Sequence, residues 1–233
     1  VVLSSADPAP ASSSTDARPE RSPARVRLIV AGALLVLVAL VAGVLLGRAT
    51  APAGAASAPA AESAEAGFSR DMQTHHNQAV EMSLLLRDRT DDEEVRLLAL
   101  DIATAQAQQA GQMFAWLTMW GVPQTSTEPE MAWMALPTLD GGHDEHSDAH
   151  TPGEPMPGLA SPEEMAALRD AEGLEAEVLW LELMIEHHEG GVEMAEAVLV
   201  RTENELVTRL AGGVVQLQQK EIDYMTELLE ERS

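Results

Sequence analysis

Hydrophobic positions along this chain follow two patterns. From Leu28 to Gly47 they form a run of about twenty apolar or small residues without a charge, the length that crosses a bilayer. From Phe68 to Leu117, and again from Trp180 to Leu229, they recur every three to four residues, as the buried stripe of an amphipathic helix does. These last two stretches align without a gap at an offset of 112: Phe68 falls on Trp180, Met72 on Met184, Gln106 on Gln218 and Leu117 on Leu229. Each is interrupted by a charged break, at 88–92 or 201–204, and so predicts two helices joined by a short turn.

One such hairpin leaves its apolar face uncovered, and two docked together make a four-helix bundle. The expected fold class is therefore all-α, a ferritin-like four-helix bundle of two tandem αα-hairpin repeats, 68–117 and 180–229, preceded by one transmembrane helix. The segment 121–179 is too long for a simple turn and supplies a long crossover. Within it, Ser161-Pro162-Glu163-Glu164 is a capping-box start with proline at the first helical position, opening a short helix. Upstream, 121–158 is rich in Pro, Gly, Asp and Glu and reads as loop. Before the bundle at 67–233 come a basic tail at 1–27, a membrane helix at 28–47 and an Ala/Pro linker at 48–66. Four arginines precede the apolar run and one follows, which places the tail in the cytoplasm and the bundle outside, on a single-pass membrane protein. Ala56-Ser57-Ala58 also resembles a signal-peptidase site, in which case the bundle is secreted.

Composition narrows the chemistry. The net charge of −24 argues against nucleic acid as a partner, and an acidic surface concentrates cations around it. With no cysteine, thiolate metal sites and disulfides are unavailable. Methionine, at 11 residues, outnumbers all aromatic residues together.

The two repeats carry the same inward-facing motif, MQTHHNQAVEM from Met72 and MIEHHEGGVEM from Met184. At 100° per residue, Met72, His75, His76 and Met82 fall with Phe68 and Ala79 inside an arc of about 120°, while Glu81 faces away. The second copy places Met184, His187, His188 and Met194 in the same way. The partner helices add Gln106, Gln109 and Met113, and then Gln218, Glu221 and Met225, with Gln106 expected level with His75 and His76 and Gln109 near Met72. Four imidazoles in a core cost about 1–3 kcal/mol for each group left unpaired, so something must occupy them.

Imidazole with thioether, and no thiolate, is a ligand set for copper, Cu(I) above all, although other divalent ions remain possible. Di-iron bundles use Glu-x-x-His and several inward carboxylates; the one inward acid on a motif stripe here is Glu221. The candidate metal ligands are Met72, His75, His76, Met82, Met113, Met184, His187, His188, Met194 and Met225. A repeat axis perpendicular to the bundle brings both motifs to mid-bundle, where they could form one shared centre; any other axis gives two sites. His143, His146 and His150 form a second cluster, either a loose Cu(II) or Zn(II) trap or an acidic solvated loop. Three functions fit: a copper-binding protein for sequestration, buffering or transfer; a metallo-oxidoreductase; and a structural interaction domain whose His and Gln groups pair with each other. No nucleophile, cofactor loop or oxyanion device is visible.

The run MPGLASPEEMAALRDAEGLEAEVLWLELMIEHHEGGVEMAEAVL, from Met156 to Leu199, resembles the bacterial domain-of-unknown-function family numbered 305. Gln106, Met113 and Trp116-Leu117 fit its first half, and Gln218-x-x-Glu221-Ile222-x-x-Met225 its second. The resemblance spans about 68–229 and implies a ferritin-like bundle outside the cytoplasm, with two Met-x-x-His-His motifs. Relatives in that family include periplasmic copper-binding and copper-resistance proteins, and the family as a whole has no settled activity. One departure stands out: Gln109 occupies the place that Glu221 takes in the second half.

Overall fold

The computed structural model describes residues 23–50, 58–143 and 151–232. The chain divides into two units, Val1–Ala56 and Ser57–Ser233. The first contains α1, Pro23–Thr50. Its contiguous described side chains run from Val30 to Val44 and are exposed. Among the described residues no helix is long and apolar enough to cross a membrane. The transmembrane helix expected at 28–47 is therefore not supported, while a helix over those residues is.

The second unit is all-helical. The first hairpin is α2, Ala64–Arg87, with α3, Glu93–Trp120; the crossover carries α4, Pro162–Asp170; the second hairpin is α5, Leu174–Leu199, with α6, Glu205–Glu230. Local chemistry sets these limits. Ser63 caps α2 through Ala66 N–H, Asp92 caps α3 through Val95 N–H, and Asn204 caps α6 through Leu206 N–H. Gly121, at φ 69°, closes α3 in the left-handed conformation that glycine adopts without penalty. The capping box at Ser161 and Glu164 is complete, with Pro162 at the first helical position. Helix α5 begins six residues before the repeat boundary at 180, so the crossover ends at Gly173.

The hairpins dock chiefly through α2 and α5. Met72 shares an apolar cluster with Met194, and Met82 shares another with Met184, so these helices run antiparallel. The repeat symmetry continues upstream of 68. Thr90 donates to Glu177 across the hairpins, and Thr202 donates to Glu65 at 2.6 Å, both pairs matching at the offset of 112. An antiparallel pair related in this way has its two-fold axis perpendicular to the bundle.

The loop expected at 121–158 contains a 3₁₀ turn, Ala132–Ala135. It is built by distant contacts and not by local pattern. Trp133 packs edge-on to Phe68 at 5.8 Å, and Gly67 leaves the room, since a Cβ there would lie 2.6 Å from the Trp133 ring. The buried Asp71 accepts from Met131 N–H at 2.8 Å and Trp133 Nε1–H at 2.9 Å. Burial is the main reason its carboxyl is pushed up to about 6.

Gly212 and Gly213 sit inside α6 with nothing within 4 Å of a Cβ at either position. Replacing each by Ala should stabilise the fold by about 0.4–1 kcal/mol, because alanine restricts the unfolded chain. Urea denaturation of the two single variants checks this, and destabilisation by either would mean an unseen steric demand on α6.

Candidate metal centre

Both His-His pairs lie on the inner faces of α2 and α5, and all four rings are fully buried. His75 and His187, equivalent residues of the two repeats, are in contact, with ring centroids 3.7 Å apart and planes tilted by 38°. Two equivalent residues in contact lie on the repeat axis, so the motifs meet at mid-bundle. His76 and His188 flank the pair, with centroids 6.5 Å from His75 and 6.2 Å from His187 respectively.

Hydrogen bonding fixes the tautomers. His75 Nε2 lies 2.9 Å from the Pro157 carbonyl, and His187 Nε2 lies 2.9 Å from the His75 carbonyl. A carbonyl only accepts, so each Nε2 carries the proton and donates it, leaving Nδ1 with a lone pair. His188 Nε2 likewise faces Glu221 Oε2 at 2.8 Å. The Nδ1 atoms of His75, His187 and His188 are buried without a partner, as are both ring nitrogens of His76. Burial holds His75 at about 4. Burial and then the adjacent His75 push His76 down to about 3, while burial pushes His187 well below the usual imidazole value. These rings stay neutral at neutral pH, the state in which imidazole binds a metal.

The register of the partner helices differs from expectation by about one turn. Gln109, not Gln106, lies against His76, where it offsets a little of the pKa shift without its Oε1 completing a hydrogen bond. Its repeat equivalent Glu221 holds His188, so the inward acid expected at Glu221 is placed on a histidine. The side-chain amides of Gln106 and Gln218 are buried with no partner on either atom. The His–Gln pairing that a purely structural core requires is not made by those two residues.

The methionines divide between the ends of the histidine layer. Met72, Met113 and Met194 belong to one apolar cluster, and Met82, Met184 and Met225 to the other. The repeat axis exchanges the two trios residue for residue. All six are fully buried. Among the described residues no three His, Asp or Glu side chains gather as a metal-holding group.

The crossover breaks the symmetry, which motif reading alone missed. Pro157 takes the hydrogen bond that the His187 carbonyl would accept under strict two-fold symmetry. Gln78 clamps Ala160 on both sides, Nε2–H to its carbonyl at 2.8 Å and Oε1 from its N–H at 2.8 Å. Gly190 and Gly158 allow this strap to lie on α5: a Cβ on Gly190 would run into the Pro157 carbonyl, and one on Gly158 into the Glu186 carbonyl. The glycine at 190, set beside Gln78 at the equivalent position, was the available sequence signal. Glu81 is outside the site, as its wheel position predicts, and pairs with Arg169 on the surface at 3.2 Å. His143 is exposed, and His146 and His150 lie outside the described residues.

Residues 65–229 match a family defined as a domain of unknown function, DUF305. The chain belongs to the DUF305 family. A DUF305 protein from Streptomyces coelicolor is 48% identical, with 74% of this chain and 96% of that one covered and a TM-score of 0.65. A DUF305 fragment from Deinococcus radiodurans is 33% identical, with 72% and 96% covered and a TM-score of 0.56. CopM in its Cu(I)-bound form is 21% identical over 70% of this chain and 94% of its own, at a TM-score of 0.52, which is a likeness of fold. Structures of CopM with Cu(II) and with silver show the same likeness. No curated protein matches the chain.

Proposed function

We propose that this DUF305 domain binds copper, Cu(I) in preference, at its buried histidine layer, and serves to sequester, buffer or pass on the ion. One observation carries the reading. Three imidazoles each donate Nε2–H to an oxygen and leave Nδ1 buried and unpaired. Metal-ligating histidines are oriented in this way, with the second nitrogen donating to a carbonyl or carboxylate. His75, His76, His187 and His188 would supply nitrogen. Met72, Met113 and Met194 at one end, and Met82, Met184 and Met225 at the other, would supply the soft sulfur that favours Cu(I) over Zn(II). The copper and silver structures of CopM, which shares the fold, agree with this reading. Export of the bundle, led by the arginine-flanked apolar segment at 28–47, belongs to the same proposal.

The test separates sulfur from nitrogen. Met72→Leu with Met184→Leu should cost less than about 1.5 kcal/mol per site, since the volumes are similar. Cu(I) affinity should fall about tenfold or more, while weaker Zn(II) binding through imidazole survives. Urea denaturation reads the stability cost and competition against a Cu(I) chelator the loss of affinity. Cu(I) affinity equal to the parent's would remove the thioethers from the site.

A further inference from the structure

The repeat symmetry is broken at one pair of positions that bears directly on charge. Glu221 lies 2.8 Å from His188 Nε2, and its equivalent Gln109 lies against His76. The Glu221 side chain is 16% exposed, so its carboxylate has water on one side and His188 on the other. His76 has no hydrogen-bond partner on either nitrogen. One outer histidine is thus backed by a negative charge and the other by a neutral amide.

The thioethers decide how many ions this pattern can serve. Met72 and Met82 are ten residues apart on α2, about 15 Å along a helix, and so are Met184 and Met194 on α5. They fall in two separate apolar clusters, one beyond each face of the histidine layer. One ion cannot take sulfur from both ends.

We propose that the domain holds two soft-metal ions in unequal half-sites: a neutral one with His76 and the Met72 trio, selective for monovalent ions, and one with His188, Glu221 and the Met184 trio that also accepts divalent ions. This rests on the metal-binding reading above. The physical reason is Coulombic. Attraction to a nearby carboxylate is proportional to the charge of the ion, so Glu221 favours a divalent over a monovalent ion where Gln109 does not. A carboxylate behind an imidazole also makes it a stronger donor and holds its orientation. Gln109 and Glu221 are then specificity-determining residues that act through the histidines in front of them.

The experiment uses the full chain with His143, His146 and His150 changed to Asn, so that the acidic loop cannot capture Cu(II). Ag(I) is the monovalent probe and Cu(II) the divalent one, with stoichiometry read by calorimetry and the Cu(II) ligands by electron paramagnetic resonance. The chain should take two Ag(I) and one Cu(II), the latter with nitrogen hyperfine coupling. Glu221→Gln should keep two Ag(I) and weaken Cu(II) at least about tenfold, as loss of an outer partner does. Gln109→Glu should raise Cu(II) from one ion to two. Glu221→Gln binding Cu(II) like the parent, or a helical Gln109→Glu chain still binding only one, overturns the inequality. A single Ag(I) per chain overturns the two half-sites. Failure of the chain to bind either Ag(I) or Cu(I) instead sinks the metal-binding reading beneath them.

Discussion

The metal-free chain carrying His76→Leu should be more stable than the parent by about 1–3 kcal/mol, and should lose most of the stabilisation that Cu(I) gives the parent. His76 is fully buried with neither nitrogen paired, so the parent core holds two desolvated polar atoms with no compensating bond. Leucine removes both at similar volume. The neighbouring residue sets the opposite expectation. His75→Leu leaves the Pro157 carbonyl without its donor and should destabilise the metal-free chain by about 1–3 kcal/mol. An ion present at a thousand times its Kd adds about 4 kcal/mol to the parent, and this increment should shrink sharply in both variants. Urea denaturation with and without Cu(I) measures all four quantities. If His76→Leu destabilises the metal-free chain, the histidine is an ordinary core residue and the case for a metal ligand there is lost.

Gly158→Ala should be among the most damaging single changes in the bundle, with a loss of about 2–5 kcal/mol, combining backbone strain with overpacking. Gly158 sits at φ 69°, and a Cβ there would run into the Glu186 carbonyl and lie 2.8 Å from His187 Cα. Neither obstacle is a side chain that can swing aside. The strap at 156–160 must lift, taking with it the hydrogen bond to His75 and the clamp from Gln78. Gly190→Ala attacks the same contact from α5, without the strain of a positive φ, and should cost somewhat less. Hydrogen exchange should show faster exchange at Ala160 N–H in both variants, while the α2–α3 turn keeps its protection. Full protection at Ala160 in a stable Gly158→Ala chain would mean that the strap is not what the glycine serves.

Much of the architecture is legible in local pattern. The 3.6-residue periodicity marks α2, α3, α5 and α6, the capping box at Ser161 marks where α4 begins, and the gapless repeat pairs the hairpins. The same periodicity turns both His-His pairs and the six motif methionines inward, and all ten side chains are buried. Helix faces depend on neighbours three and four residues away, which the sequence displays directly.

What the sequence does not display is how two such faces slide and turn against each other. A one-turn difference in register put Gln109, and not Gln106, against His76, because the loop between helices leaves their relative height free by several ångströms. The contact of His75 with His187, 112 residues away, depends on where α2 crosses α5. The 3₁₀ turn at Ala132–Ala135 exists only because Asp71 and Phe68 hold Trp133. The two repeats share the Met-x-x-His-His pattern by sequence alone, but the crossover that inserts the Pro157 carbonyl at His75 makes them unequal, and only the packed chain brings that carbonyl within 2.9 Å. Backbone groups look alike in any sequence, and their role at this centre comes entirely from where the tertiary fold carries them.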